Sequence, residues 1–366
     1  MAGSLLYKVL ANILNSGTLS MSSELDALLE QADGVVFPFS EEYEKAHVEF
    51  AEKMWPHKLR RRIPDYNRWK FRGGAHGPVD GFLLAVIDGQ VVGQLGLIPV
   101  TLMAGEQRHP AQWACDLIVD PSVRRKGFGS LLLATGMARP MVTLGSDPSP
   151  LADAAMTRLG FRPVNGPWQM LLPLKPESEI EIRLPAGLKR FAPWLSTIAA
   201  PLIRFQARKL RRSNHATAVR LGDWMEVAEF ISSNDLQSPH ILHDSAFLQW
   251  RGGGLAGFSP VLESVYSGPD AFAVFQSTPN QFYVYEWHAR DFANALLLFS
   301  SIYQLAKERD SHTIIAFAND NDERDWLGKL GFLKKFTPTK IIYYPDSPLS
   351  GYGNFHYDIY DSDGNL

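Results

Sequence analysis

The stretch Cys115-Asp116-Leu117-Ile118-Val119-Asp120-Pro121-Ser122-Val123-Arg124-Arg125-Lys126-Gly127-Phe128-Gly129-Ser130-Leu131-Leu132-Leu133 reads as an apolar strand, a turn carrying Arg-x-x-Gly-x-Gly, and the start of a helix. Two glycines let the backbone turn tightly without Cβ clashes, so successive N–H groups can point into one concavity where the helix begins. Such a concavity suits phosphate. The helix N-terminus contributes its partial positive charge, and Arg124, Arg125 and Lys126 add full charges. The spacing is neither that of a Walker loop nor that of the Gly-x-Gly-x-x-Gly dinucleotide turn, so ATP and NAD are poor fits.

Downstream, Met141 to Gly145 reads as the next strand, and Leu151 to Leu159 as a helix running into Gly160-Phe161. Upstream, Phe82 to Ile87, Asp88-Gly89 and Val91 to Val100 form a hairpin signal, because Asp-Gly supplies the positive φ angles of a type I′ turn. Gly34 to Phe39 reads as a first strand, and Glu41 to Trp55 as an amphipathic helix with Ser40 as its cap. A further helical turn holds Tyr66 and Trp69 before Arg72-Gly73-Gly74 ends it.

Strand, Arg-x-x-Gly-x-Gly and helix in this order resemble the pyrophosphate loop of the GNAT acyltransferases, which bind acetyl-CoA or another acyl-CoA. The resemblance implies that Leu117, Ile118 and Val119 offer backbone groups to the pantetheine and the acyl carbonyl. It implies that Arg124, Arg125, Lys126, Gly127, Phe128 and Gly129 hold the pyrophosphate, and that Ser130 adds its hydroxyl. The family's reaction is direct attack of an acceptor amine on the thioester, with no covalent enzyme intermediate.

The second half echoes the first. Phe247 to Trp250 with Arg251-Gly252-Gly253 matches Tyr66 to Trp69 with its trailing Arg-Gly-Gly, and Lys329-Leu330-Gly331-Phe332 matches Arg158-Leu159-Gly160-Phe161. Between them Phe282 to His288 reads as a strand and Asp291 to Ala306 as a helix, joined by Ala289-Arg290 without glycine, so this copy lacks the phosphate cradle. The arrangement resembles the tandem GNAT proteins. The expected fold is α/β with two GNAT-like domains, each a mixed, mostly antiparallel sheet flanked by helices. Expected boundaries are a peripheral segment over 1–30, an acyl-CoA-binding domain over 31–178, a linker over 179–213, and a degenerate second domain over 214–366.

The linker carries Lys189, Arg190, Arg208 and Lys209 among its basic residues, beside Phe191, Trp194, Leu195, Ile198, Leu202, Ile203 and Phe205 at near-helical spacing. Over 187–212 such a segment can contact a membrane surface. The alternative is a linker packed on both domains with its basic face in water, broken into short pieces by Pro193 and Pro201.

A length of 366 residues fits two domains. A net charge of −3 gives no field to attract nucleic acid. One cysteine excludes a disulfide framework and fits a reducing, cytoplasmic setting. The apolar run Leu5 to Leu14 is interrupted by Lys8 and Asn12 and makes a weak signal peptide at best.

Asp116 is the candidate catalytic base, since it interrupts an apolar strand and by alternation shares a face with Ile118. A carboxylate near its reference pKa of about 3.9 is a feeble base for an amine, so it needs an intervening water or an elevated pKa. The alternative is a structural hydrogen bond. Many GNATs place a tyrosine near the departing sulfur, four residues before the Gly of Gly-Phe; here that position is Met156. Tyr285, Glu286 and His288 of the second half are further candidates, or else packing residues. Cys115 reads as a small buried hydrophobe. His76, His109 and His215 show no metal-ligand spacing, so no metal is expected.

The resemblance implies transfer of an acyl group to a small-molecule primary amine, with an amino sugar or cell-surface precursor as the first expectation. Two alternatives are a non-catalytic acyl-CoA-binding module and an aminoacyl-tRNA-dependent transferase of the peptidoglycan-bridge type. Near-neutral charge and the intact glycine turn disfavour the latter.

Overall fold

The computed structural model describes residues 21–74, 76–177, 180, 184–212, 219–220, 224–232, 236–255, 262–266, 270–278, 280–335, 337–344 and 348–362. The segment read as a weak leader lies outside them. The chain divides into two compact units with interleaved ranges. One holds residues up to Val164 with Ser238–Leu242 and Lys340–Asn354; the other holds Asn165–Gln237, His243–Thr339 and Phe355–Leu366. Contiguous boundaries at 178 and 213 therefore do not follow the contacts.

In chain order the described strands are β1 (Val36–Phe39), β2 (Val79–Ile87), β3 (Gln90–Ala104), β4 (Gln107–Val119), β5 (Val142–Ser146), β6 (Arg162–Asn165), β7 (Trp168–Pro173) and β8 (Val219–Arg220). They continue as β9 (His240–Ile241), β10 (Glu263–Tyr266), β11 (Ala271–Ser277), β12 (Gln281–Ala289), β13 (Thr313–Ala318), β14 (Leu333–Lys334) and β15 (Lys340–Tyr344). The first sheet runs β1-β2-β3-β4-β5-β15-β6, with β9 beside β3, and the second runs β14-β7-β13-β12-β11-β10-β8.

Both sheets follow one plan. Antiparallel strands lead to a single parallel pair, β4 with β5 and β12 with β13, followed by an antiparallel neighbour, β15 or β7. That neighbour is exchanged: β7 follows β6 in sequence but pairs in the second sheet, while late β15 pairs in the first. The sequence echo has a structural counterpart, because Gly160 (φ 90) and Gly331 (φ 100) both end a helix in the left-handed region, followed by the buried Phe161 and Phe332.

The hairpin turn forms as expected, with Asp88 at φ 49 and Gly89 at φ 73 joining β2 to β3. The helix Phe128–Met137 is nearly all apolar and is buried between its sheet and the helix Met21–Ala32, with Leu131, Leu132 and Leu133 among its core residues. Each buried leucine contributes about 2 kcal/mol. Residues 21–30 are thus not peripheral: Leu28 packs in this core. Ser40 precedes a 3-10 turn, Glu41–Tyr43, and its side chain makes no capping bond. No described helix is long and apolar enough to cross a membrane.

Candidate functional site

β4 begins tied to β5 and ends free of it. The parallel ladder covers Ala111 to Trp113 against Val142 to Leu144 and stops there, although β4 continues to Val119. A buried network fixes the paired part: Gln112 Nε2 donates to the Gly136 carbonyl (2.8 Å) and to Thr143 Oγ1 (2.9 Å), while Arg139 Nη1 donates to Gln112 Oε1 (2.8 Å). Beyond it the β3–β4 register shifts, with Gly96 opposite Cys115 and Gln94 opposite Ile118, so Asp116 and Leu117 together face one residue. This is a β-bulge. Asp116 adopts φ 53 within it, and the alternation assumed for the strand fails there.

After the strand, Asp120 sets the loop by accepting from Ser122 N (2.9 Å), Ser122 Oγ (2.8 Å) and Lys53 Nζ (2.5 Å). The Lys53 bond first, then those from Ser122, hold its carboxyl at a pKa of about 2. Arg125 (φ 66) and Gly127 (φ 89) then turn the chain into the helix, whose N-cap is Gly127 with no side-chain cap. Ser130 N and Leu131 N donate to the Gly127 carbonyl (2.9 and 3.0 Å). The amides of Phe128 and Gly129 come before that first helical bond and have no acceptor within the helix.

Split strand and uncapped helix share a cavity of about 950 Å³. Of the expected binding residues, Leu117, Ile118, Val119, Arg124, Arg125, Gly127, Phe128, Gly129 and Ser130 line it; exposed Lys126 does not. The Phe128 ring belongs to the core, so that residue has only its backbone to offer. Ser149, Leu151, Ala155 and Arg158 from the following helix complete the wall, with Arg158 Nη2 donating to Ser130 Oγ (3.2 Å). Arg158 was legible as the cation before Leu-Gly-Phe, but nothing local in sequence places it opposite Ser130.

Asp116 faces away from the role expected of a base. Its side chain is 6% exposed, takes a bond from Lys70 Nζ (2.7 Å), and forms an ion pair with Arg61. Burial alone would raise its pKa, but the charges of Lys70 and Arg61 hold it below the ordinary carboxylate value. A carboxylate locked between two cations accepts protons poorly and instead anchors the bulge. Met156 is buried in the apolar core, as is Cys115 in the sheet. His76 is an exposed partner of Glu41 (3.2 Å), and His215 lies outside the described residues.

In the second unit the matching bulge falls at Tyr285, and the β12–β13 ladder likewise covers only Gln281 to Tyr283. Here the protein fills the split itself. Trp287 Nε1 donates across to the Phe317 carbonyl (2.7 Å), and Ile359 N donates to the Tyr285 carbonyl (3.1 Å). The expected candidates Glu286 and His288 lie in a buried cluster. Glu286 sits 3.2 Å from both His243 Nδ1 and His288 Nε2, His243 Nε2 lies 2.6 Å from Asp361 Oδ1, and His356 Nε2 lies 3.1 Å from Asp358 Oδ2. Burial disfavours charge on His356, but the Asp358 charge and hydrogen bond outweigh it and push its pKa up to about 9. His243, Asp358 and Asp361 offer ligand atoms within 4.8 Å of one another, a set that could hold a cation and that the isolated histidines considered in the sequence do not reveal.

A split parallel pair beside a helix end, repeated in plan in both units and without a side-chain cap in the first, is a GNAT-like fold. Residues 40–141, within the first unit, match the acetyltransferase (GNAT) family. It is similar in fold to the GCN5-related N-acetyltransferase from Kribbella flavida, at 14% identity over 84% of this chain and 70% of that one, with TM-score 0.54. The GCN5-related N-acetyltransferase from Anabaena variabilis ATCC 29413 gives 11%, 84%, 71% and 0.55. Saccharomyces cerevisiae N-myristoyltransferase with bound myristoyl-CoA gives 15%, 77%, 73% and 0.52. No curated protein matches the chain in sequence.

Proposed function

We propose that the first unit binds an acyl-CoA, acetyl-CoA in the simplest case, and transfers its acyl group to a primary amine. The observation that carries this reading is the one cavity shared by the open side of β4 and the uncapped helix at Gly127. The amides of Phe128 and Gly129, with Arg124 and Arg125 beside them, suit the pyrophosphate. Leu117 to Val119, which line the cavity beyond the last parallel pair, suit the pantetheine. An amino sugar or the amine of a cell-surface precursor is the acceptor suggested by the sequence resemblance.

The ionisable residues lining the cavity are Arg124, Arg125 and Arg158, all cations. Catalysis then rests on orientation, which can supply about 7–11 kcal/mol. As the amine nitrogen bonds to the acyl carbon the carbon–sulfur bond breaks; the amine's proton passes to water, and the thiolate, near pKa 8.5, leaves without an acid. The expected signature is a rate that rises with pH along the acceptor's own pKa.

The locked Asp116 and the buried Met156 favour one second reading, a non-catalytic acyl-CoA-binding module. Free-thiol release from acetyl-CoA across a panel of amines separates the two. Turnover on any amine supports the transferase, whereas calorimetric binding with no thiol release on every amine supports the module. No binding at all rejects both.

A further inference from the structure

The helix Ala192–Gln206 turns its small residues inward and its large apolar ones outward. Ala192 and Ala200 are buried, and Ala207 and Leu210 just beyond its end join the core of the second unit. Trp194, Ile198, Leu202 and Phe205 are 64%, 60%, 62% and 58% exposed, and Phe191 and Leu188 extend the row at 43% and 47%. From Phe191 onward the steps are three, four, four and three positions, so the row follows one helical face. The sequence alternative, with this apolar face packed on the domains, is not what the structure shows. Nor do the prolines break the helix: Pro193 lies in its first turn, where no backbone donor is needed, and Pro201 removes one bond from a helix that continues past it.

An exposed apolar row of this kind marks a docking surface, and its surroundings say what docks. Between Pro185 and Arg212 there is no acidic residue, in a chain of net charge −3. Exposed Lys189, Arg190, Arg208 and Lys209 flank the row at both ends, with the Arg190 guanidinium 4.8 Å from the Phe191 ring and that of Arg208 4.0 Å from the Phe205 ring. At 15 residues the helix is too short to span a bilayer, which needs about 20. We propose that it lies in the interface of an anionic lipid bilayer, with its apolar row at the headgroup–acyl boundary and its basic ends against lipid phosphates. This is independent of the acyltransferase reading.

Flotation of the full chain with phosphatidylcholine vesicles, with and without phosphatidylserine, tests it. The protein should float with the anionic vesicles and release at high salt. Trp194→Ser with Leu202→Ser and Phe205→Ser should reduce partitioning at least about a thousandfold, and Arg208→Gln with Lys209→Gln on the order of twenty-five-fold. Unchanged circular dichroism and thermal midpoint would show that both variants remain folded. Failure to float with any vesicle, equal flotation on neutral vesicles, or full retention by the triple variant overturns the proposal. So does a concentration-dependent dimer that the triple variant dissociates, because a second copy would then cover the row.

Discussion

β4 with its helix and β12 with its helix share a plan, and they differ in what occupies it. Each strand bulges, pairs in parallel over three residues, and then parts from its neighbour. In the first unit the helix starts at Gly127, which has no side chain to offer. In the second it starts at Asp291, whose carboxylate accepts from Asn294 N (2.9 Å) and supplies the helix end with an anion of the protein's own. The first split lines a cavity, while the second is bridged by Trp287 and Ile359. An open cavity and a packed element can therefore come from one scaffold, the former kept open by what its sequence leaves out.

The largest effect expected on this contrast comes from Asp116→Asn. It removes the anchor of the first bulge and strands Lys70 and Arg61, costing about 3–5 kcal/mol in chemical denaturation. Tyr285→Phe at the matching bulge forfeits the hydroxyl bond to Gln276 (2.7 Å), costing about 1 kcal/mol. Equal losses would abolish the distinction between the two bulges. Next, Gly129→Glu closes the open helix end from within. Its Cβ would meet nothing nearer than Val119 Cγ2 at 3.8 Å, so the fold should survive. Acetyl-CoA affinity should fall at least about a hundredfold in calorimetry through charge repulsion and occupied amides, and an unchanged affinity would remove the cofactor from this loop.

The two units should also respond oppositely to pH. Burial first, against the Gln94 bond and the Asp116 charge, brings His47 from 6.5 down to about 4. Its contribution is complete above 6.5 and is lost as pH falls toward 4. His356, raised from 6.5 to about 9, contributes fully below 6.5 and loses that contribution as pH rises toward 9. Hydrogen exchange should find the first unit loosening on the acid side and the second on the alkaline side, with His47→Gln and His356→Gln each flattening its own limb. The smallest effect is Asp291→Ala, which removes a cap for about 1 kcal/mol. It should create no CoA binding, because Trp287 and Ile359 still bridge that split.

What was legible in the sequence is local. Asp88-Gly89, the turn at Gly127 and the two Gly-Phe junctions each specify backbone geometry over a few residues and appear where they were read, whereas the alternation of β4 fails at Asp116 and Gly129 falls inside the helix. What was not legible depends on partners far along the chain. Nothing around Asp116 announces Lys70 and Arg61, and the His243, Glu286 and Asp361 cluster joins three distant segments. The alternating His356-Tyr357-Asp358 run beside Tyr360-Asp361 was the available hint of a buried polar segment. An amphipathic pattern over 191–205 shows that one face is apolar, but not that the alanine face is the one that docks inward.

The exchanged strands have a consequence for how this molecule is made. During synthesis β7 emerges before β13 and can receive it, so the second sheet meets a neighbour already in hand. β5 must wait for Lys340–Tyr344, and until those residues leave the ribosome its outer edge offers unpaired amides and carbonyls to any passing strand. Maturation of the first half is thereby tied to translation past Tyr344, and a gene fragment carrying either half alone would encode an unfinished sheet.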